Sequence, residues 1–386
     1  MRRHLSGLTI FLLIYSGSMC LAQTDQTMIK EDFKPASTNQ PGRQFPQVNS
    51  KGRVRASISA PGAQKVQLDI SAVKYDLTKD SSGVWTGDSD PQDEGFHYYQ
   101  LWIDGAAVPD PNSLYFYGAM RWGSGIDIPA KDQDFYALKN VPHGQIREIL
   151  FPSESTSSSR RAFVYTPPGY DANLTKRYPV LYLQHGWGEN EYGWPNQGKT
   201  NLIMDNLIAE GKSRPFVIVM TYGMTNEVKI GGLRNFDIKP FQTVLVDELI
   251  PYIDTNFRTL SDQHNRAMAG LSMGGFETRL ITLENLDTFS HIGLFSGGSI
   301  SPDDVENTPG FKDKVKLVFV SYGGREIERM KSRTRRGPFG GDPKESIDAI
   351  SKEGINAHFY VSPNTAHEWQ SWRRSLHEFA PLLFRE

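Results

Sequence analysis

Two textures divide the chain. Over residues 51–140, apolar and polar residues alternate in short runs between turn residues. Arg53-Val-Arg-Ala-Ser-Ile58 and Val66-Gln-Leu-Asp-Ile70 have the period of two that buries one face of a strand. Phe96-His-Tyr-Tyr-Gln-Leu-Trp-Ile103 runs into Asp104-Gly105, a pair that tolerates the positive φ angles of a tight hairpin. This pattern predicts a small all-β sandwich. From residue 141 the runs become continuously apolar: Val180–Leu183, Phe216–Val219, Ala267–Ala269, His291–Phe295, Val315–Val320 and Ala357–Val361. Between them, Phe241–Phe257 and Pro343–Lys352 have helical spacing. Apolar strands alternating with helices predict an α/β domain over 141–386, with a mostly parallel sheet covered on both faces.

Composition changes this picture at the N-terminus. Arg2, Arg3 and His4 precede the apolar stretch Leu8–Tyr15, and Cys20-Leu21-Ala22 follows. Residues 1–22 therefore read as a secretory signal cleaved before Gln23, which predicts an exported, periplasmic or secreted protein. The stretch is too short to span a bilayer. Residues 23–50, rich in Gln, Ser, Thr, Asn and Pro, read as an extended leader. Cys20 is the one cysteine, so the mature chain has no thiol chemistry. A net charge of −2 gives no electrostatic case for nucleic acid or an anionic membrane. No metal-ligand spacing and no phosphate-binding loop occurs, so no cofactor is expected.

The candidate chemistry centres on Gly270-Leu271-Ser272-Met273-Gly274. A strand-like run precedes it and a helix-forming run follows. In that context G-x-S-x-G is a sharp turn that lifts a serine hydroxyl clear of the sheet. A serine needs a base to take its proton. His367 lies in the loop after the strand ending at Val361, where such a base belongs, whereas His377 falls within a helical run. The supporting acid belongs after Val320, where Glu326 and Glu328 are available; Glu326 is favoured. Two backbone N–H groups must stabilise an oxyanion. Met273 follows the serine, and Trp187 lies in Gln184-His185-Gly186-Trp187-Gly188, directly after an apolar strand. His185 reads as structural. Tyr192, Trp194, Trp369 and Trp372, with Trp187, lie near these residues in sequence and are candidates for stacking on an aromatic group.

Several of these segments resemble a known family. His143-Gly-Gln145, Arg160-Arg-Ala-Phe-Val-Tyr-Thr-Pro-Pro-Gly-Tyr170, Tyr178-Pro-Val-Leu-Tyr-Leu-Gln-His-Gly186, Ala269-Gly-Leu-Ser-Met-Gly-Gly275 and Ala366-His-Glu-Trp-Gln-Ser-Trp-Arg373 are similar, in order, to motifs of carbohydrate esterase family 1. The resemblance implies an α/β-hydrolase fold, an acyl-enzyme at Ser272 and a feruloylated arabinoxylan substrate. Acetylxylan and siderophore esters remain alternatives, as does a glycan-binding protein without activity. The family's acid is often Asp; here the position offers Glu326. Gly95-Phe-His-Tyr-Tyr99, Asp104-Gly105 and Val108-Pro-Asp-Pro-Asn-Ser113 make the β segment similar to a carbohydrate-binding family 48 domain. In that resemblance Tyr115, Tyr117 and Trp122 are candidates for a loop that walls the active site.

Overall fold

A computed structural model describes residues 31–225, 237–332 and 342–385. The expected signal, residues 1–22, lies outside the described residues. So do residues 23–30 of the leader.

The alternating N-terminal runs form two facing sheets. One orders the strands Lys34–Pro35, Gln47–Val48, Val54–Ser59, Val84–Asp88 and Thr78–Lys79. The other runs Tyr115–Gly118, Arg121–Ile128, Gly95–Ile103, Val66–Ile70 and Val73–Asp76, with Ala106–Val108 also paired to Gly95–Ile103. Val54, Ala56, Val66, Leu68, Tyr99, Leu101 and Ile126 fill the space between them. The expected hairpin turns at Asp104 and Gly105, whose φ angles are 48° and 89°. The sandwich begins earlier than composition suggested. Lys34–Pro35 and Gln47–Val48 are short edge strands held by main-chain pairing, which polar side chains do not signal.

The second half forms an eight-stranded sheet in the order Gln145–Ser153, Ser158–Thr166, Val217–Thr221, Val180–Gln184, Arg266–Leu271, His291–Phe295, Leu317–Gly323 and Ala357–Ser362. The first two strands pair antiparallel, and the strands from Val217–Thr221 onward pair in parallel. One face carries the core of Leu181, Leu183, Ile218, Phe295 and Phe319; the other carries Val180, Tyr182, Val219, Met268 and Ile281. Burial on both faces is why these strands read as continuous apolar runs. The helix expected over Phe241–Phe257 is Lys239–Thr243, Val244–Leu249 and Ile250–Asn256, with a wider turn in the middle. Pro251 has no N–H for the helical ladder, so the turn before it widens. No helix among the described residues is long and apolar enough to cross a membrane.

Phe33–Glu386 forms one compact unit. Phe96 and Phe116 from the sandwich share a core with Trp194, Trp369 and Phe379 from the α/β part. Buried Arg373 bonds Asp127 of the sandwich at 2.8 Å and the Gln197 carbonyl at 2.7 Å. Arg374 holds Asp132 at 2.7 Å, in the connection that follows the last sandwich strand. The change in texture at residue 140 is therefore crossed by packing and by ion pairs.

Candidate active site

Ser272 follows the strand Arg266–Leu271 and precedes the helix Met273–Glu284. Its φ of 53° and ψ of −114° lie in a region that costs a non-glycine residue on the order of 1–3 kcal/mol. The strain is held by its neighbours. Ser272 N–H donates to Phe295 O at 2.7 Å, and its carbonyl accepts from Gly275 and Phe276. The two motif glycines make the turn possible. A Cβ on Gly270 would sit 2.4 Å from the Gly274 backbone, and one on Gly274 would sit 2.5 Å from His185 O.

Three side chains far apart in sequence meet here. His367 Nε2 is 2.9 Å from Ser272 Oγ, and His367 Nδ1 is 2.7 Å from Glu326 Oε1. His367 sits in the loop after Ala357–Ser362 and presses its ring edge-on against Trp372 at 5.1 Å. Its side chain is 47% exposed, so the serine–imidazole pair is open to a ligand, while Glu326 is largely covered. Glu326 sits in the first turn of the helix Gly324–Lys331 rather than in a loop. The preceding strand runs on to Gly323 and leaves no loop. Glu328, two residues on, is exposed.

Glu326 is firmly held. Its Oε2 accepts from Ser296 Oγ at 2.7 Å and from Gly323 N–H at 2.9 Å. Burial opposes its charge. The hydrogen bond and charge of His367, with the Gly323 and Ser296 donors, outweigh burial and hold the carboxyl below its usual value. Ser296 in turn accepts from Trp372 Nε1 at 3.2 Å. One line of hydrogen bonds thus runs from Trp372 through Ser296, Glu326 and His367 to Ser272. Sequence reasoning missed Ser296; its one signal is its place just past the strand His291–Phe295, next to the elbow.

The loop expected to complete an oxyanion site is beside the serine. A Cβ on Gly186 would approach Ser272 Cβ to 3.3 Å. Met273 carries the first N–H of its helix, which the helix itself leaves unbonded. His185 is buried, as expected of a structural histidine. Its Nδ1–H donates to Gly186 O at 2.8 Å, and its Nε2 accepts from Gly223 N–H at 3.0 Å. Burial pushes its pKa down to about 4, so it stays neutral and fixes the loop.

The aromatic candidates divide. Trp194, Trp369 and Trp372 are 1%, 2% and 5% exposed. Trp194 donates to Gln184 O at 2.8 Å and packs edge-on against Trp369 at 5.4 Å. These three sit in the core beneath the site and leave little ring surface to a ligand. Sequence proximity could not tell a wall from a floor. Tyr192 is half-buried between Phe163 and Trp122, and its hydroxyl meets Arg161. Trp122 comes from the sandwich and is 46% exposed. It belongs to the hairpin of Tyr115–Gly118 and Arg121–Ile128, whose turn residues Ala119 and Met120 have φ of 50° and 64°. Met120 N–H donates to Gly188 O at 2.8 Å. The sandwich hairpin therefore rests on the Gly186–Gly188 loop. Asp93 of the sandwich pairs with Arg325, the neighbour of Glu326.

The eight-stranded sheet with its strand–serine–helix turn has the α/β-hydrolase fold. Residues 153–383, more than half the chain, match the family described as "Putative esterase", and the chain belongs to that family. A curated relative, the endo-1,4-beta-xylanase/feruloyl esterase of Xylanibacter ruminicola, is 48% identical over 372 residues, covering 94% of this chain and 49% of that protein. The chain thus spans about half the length of that relative. Among solved structures, a carbohydrate esterase family 1 ferulic acid esterase from Anaeromyces mucronatus, in complex with ferulic acid, aligns with a TM-score of 0.53 at 20% identity, covering 66% of this chain and 96% of that one. The enterobactin esterase of Shigella flexneri aligns with a TM-score of 0.61 at 14% identity, covering 85% and 92%. At these identities both speak for the fold alone.

Proposed function

We propose that the protein is a serine esterase that removes feruloyl groups from arabinoxylan side chains. The observation that carries this reading is the hydrogen-bonded line from Ser272 through His367 to Glu326. His367 Nε2 takes the hydroxyl proton as Ser272 Oγ attacks the ester carbonyl. Glu326 accepts from Nδ1–H, fixes the tautomer and stabilises the imidazolium that forms. The backbone N–H groups of Met273 and Trp187 bind the oxyanion. His367 then protonates the departing sugar hydroxyl. Water, activated by the same imidazole, releases ferulate and restores the serine.

The acyl preference is supported by half-buried Tyr192 and exposed Trp122, the latter on the hairpin that touches Gly188, with Tyr117 packed edge-on against Trp122 at 5.5 Å. A hydroxycinnamoyl ring stacks on such surfaces; an acetyl group gains nothing from them. The curated relative is named a feruloyl esterase, which supports the same substrate class. We read the sandwich as a carbohydrate-binding family 48-like domain that presents this hairpin to the site. The basic start, apolar stretch and small-residue end of 1–22 support export to the periplasm or beyond.

The test compares methyl ferulate with 4-nitrophenyl acetate. A kcat/KM on the ferulate at least equal to that on the more activated acetate is expected. A strong preference for the acetate rejects the feruloyl reading and leaves an acetylxylan esterase.

A further inference from the structure

Glu189 stands three residues beyond Gly186, on the loop that flanks Ser272, and is buried. Its own N–H donates to Gly186 O at 3.2 Å, closing the turn that contains Trp187. Its Oε1 lies 3.2 Å from the Tyr98 hydroxyl, and its Oε2 has no hydrogen-bond partner among the described residues. Tyr98 belongs to the sandwich strand Gly95–Ile103. Its oxygen accepts from Gln197 Nε2 at 2.7 Å and from Trp369 Nε1 at 3.2 Å, and Tyr117 O lies 3.3 Å away. A carboxyl is a costly choice for a buried position unless it does something there.

We propose that Glu189 is a positioning residue, which fixes the turn carrying the Trp187 N–H by anchoring it, through Tyr98, to the sandwich. The inference rests on the oxyanion role given to Trp187 above. Two ties then hold the loop from the N-terminal side: the carboxyl–phenol contact at Glu189 and the Met120 N–H on Gly188 O. The sandwich in this account acts on the chemical step, independently of any grip on polysaccharide.

The anchor has a protonation state. Burial pushes the Glu189 carboxyl up to about 8, so it carries its proton at neutral pH. The titratable group that faces it is Tyr98, itself raised well above its ordinary value by burial. Trp369 faces it from the last helix and Gly193 from the following turn, and neither titrates. Above pH 8 a negative charge appears at Glu189. That charge, on the loop that carries the Trp187 N–H, opposes an oxyanion bound there.

The test measures kcat and KM on methyl ferulate from pH 6 to 9.5 for wild type, Glu189→Gln, Glu189→Ala and Tyr98→Phe. Wild-type kcat is expected to fall on the alkaline side with a midpoint near 8, the value to which burial brings Glu189. Glu189→Gln keeps an uncharged acceptor, so its kcat at pH 7 stays close to wild type and the alkaline fall disappears. Glu189→Ala and Tyr98→Phe lower kcat about 10-fold, short of the 10² to 10³ for a lost oxyanion donor, with KM little changed. Wild-type kcat in both of these variants at an unchanged thermal midpoint overturns the inference. So does an alkaline fall that persists in Glu189→Gln, a variant that needs no repacking. A fluorophosphonate separates this failure from that of the parent reading. Labelled Ser272 with indifferent Glu189 variants rejects the anchor alone, whereas an unlabelled serine in folded wild type rejects the site.

Discussion

Exchanging Glu326 for Gln is a one-atom change that the surroundings turn into a large one. The carboxylate Oε2 faces two donors, Ser296 Oγ–H at 2.7 Å and Gly323 N–H at 2.9 Å. An amide placed there must turn its oxygen toward those donors, because an NH2 group facing them would strand buried hydrogens. Its NH2 is then left at the Oε1 position, 2.7 Å from His367 Nδ1 in the parent geometry. An NH2 can only donate, so Nδ1 must become the acceptor and the ring proton moves to Nε2. The nitrogen beside Ser272 then holds a hydrogen and cannot take another. A wrong tautomer in a serine triad costs about 10⁴ in kcat, which corresponds to about 5.5 kcal/mol of transition-state stabilisation. The fold should survive, since the Ser296 and Gly323 contacts persist. The assay is kcat/KM on methyl ferulate with the thermal midpoint measured alongside. Glu328→Gln is the control and should be indifferent, because that side chain is exposed. Retention of more than a tenth of wild-type activity in folded Glu326→Gln would mean that another group holds the His367 tautomer.

Other expectations follow from the same geometry. Gly274→Ala places a Cβ 2.5 Å from His185 O and 2.7 Å from Gln184 Cβ, and should destabilise by about 3 kcal/mol through backbone displacement, read by urea unfolding. His185 is neutral in the folded chain, with its pKa pushed down to about 4 from an ordinary 6.5. The unfolded chain binds this proton first, so the stability tied to a neutral residue 185 is complete above pH 6.5 and is lost as pH falls toward 4. His185→Gln should flatten that part of the stability–pH curve. An unchanged slope between pH 6.5 and 4 would contradict the assignment. Arg373→Ala leaves Asp127 and the Gln197 carbonyl without their buried partner and should cost about 3–5 kcal/mol of unfolding free energy.

What the sequence made legible depended on how local the cause was. The strand His291–Phe295 and the helix Pro343–Lys352 have the bounds that apolar runs and spacing indicate. In both, burial of one continuous stretch or stripe decides the structure. The elbow was legible because its motif is contiguous and one of its clashes is local, a Cβ on Gly270 against the Gly274 backbone; the clash at Gly274, against His185 O, is long-range. Residue 367 could be picked because chain order left two histidines and His377 falls within a helical run. The parts that stayed hidden are set by long-range packing. Ser296 adopts a φ of 52° although it is not glycine, because the hydrogen bond from its N–H to Ser321 O and those of its hydroxyl over-determine it. Tyr98 and Glu189 are 91 residues apart, and no local pattern pairs them. The indoles of Trp194 and Trp369 read as ligand surface because their sequence neighbours line the site, yet their own rings point into the core shared with Phe96.

The most direct test is product analysis on feruloylated arabinoxylan oligosaccharides, wild type beside Ser272→Ala. Release of free ferulate by wild type, with a loss of about 10⁶ in kcat for the variant, is the predicted result. Equal release by both proteins, or no ferulate from a well-folded wild type that fluorophosphonate labels, would contradict the account.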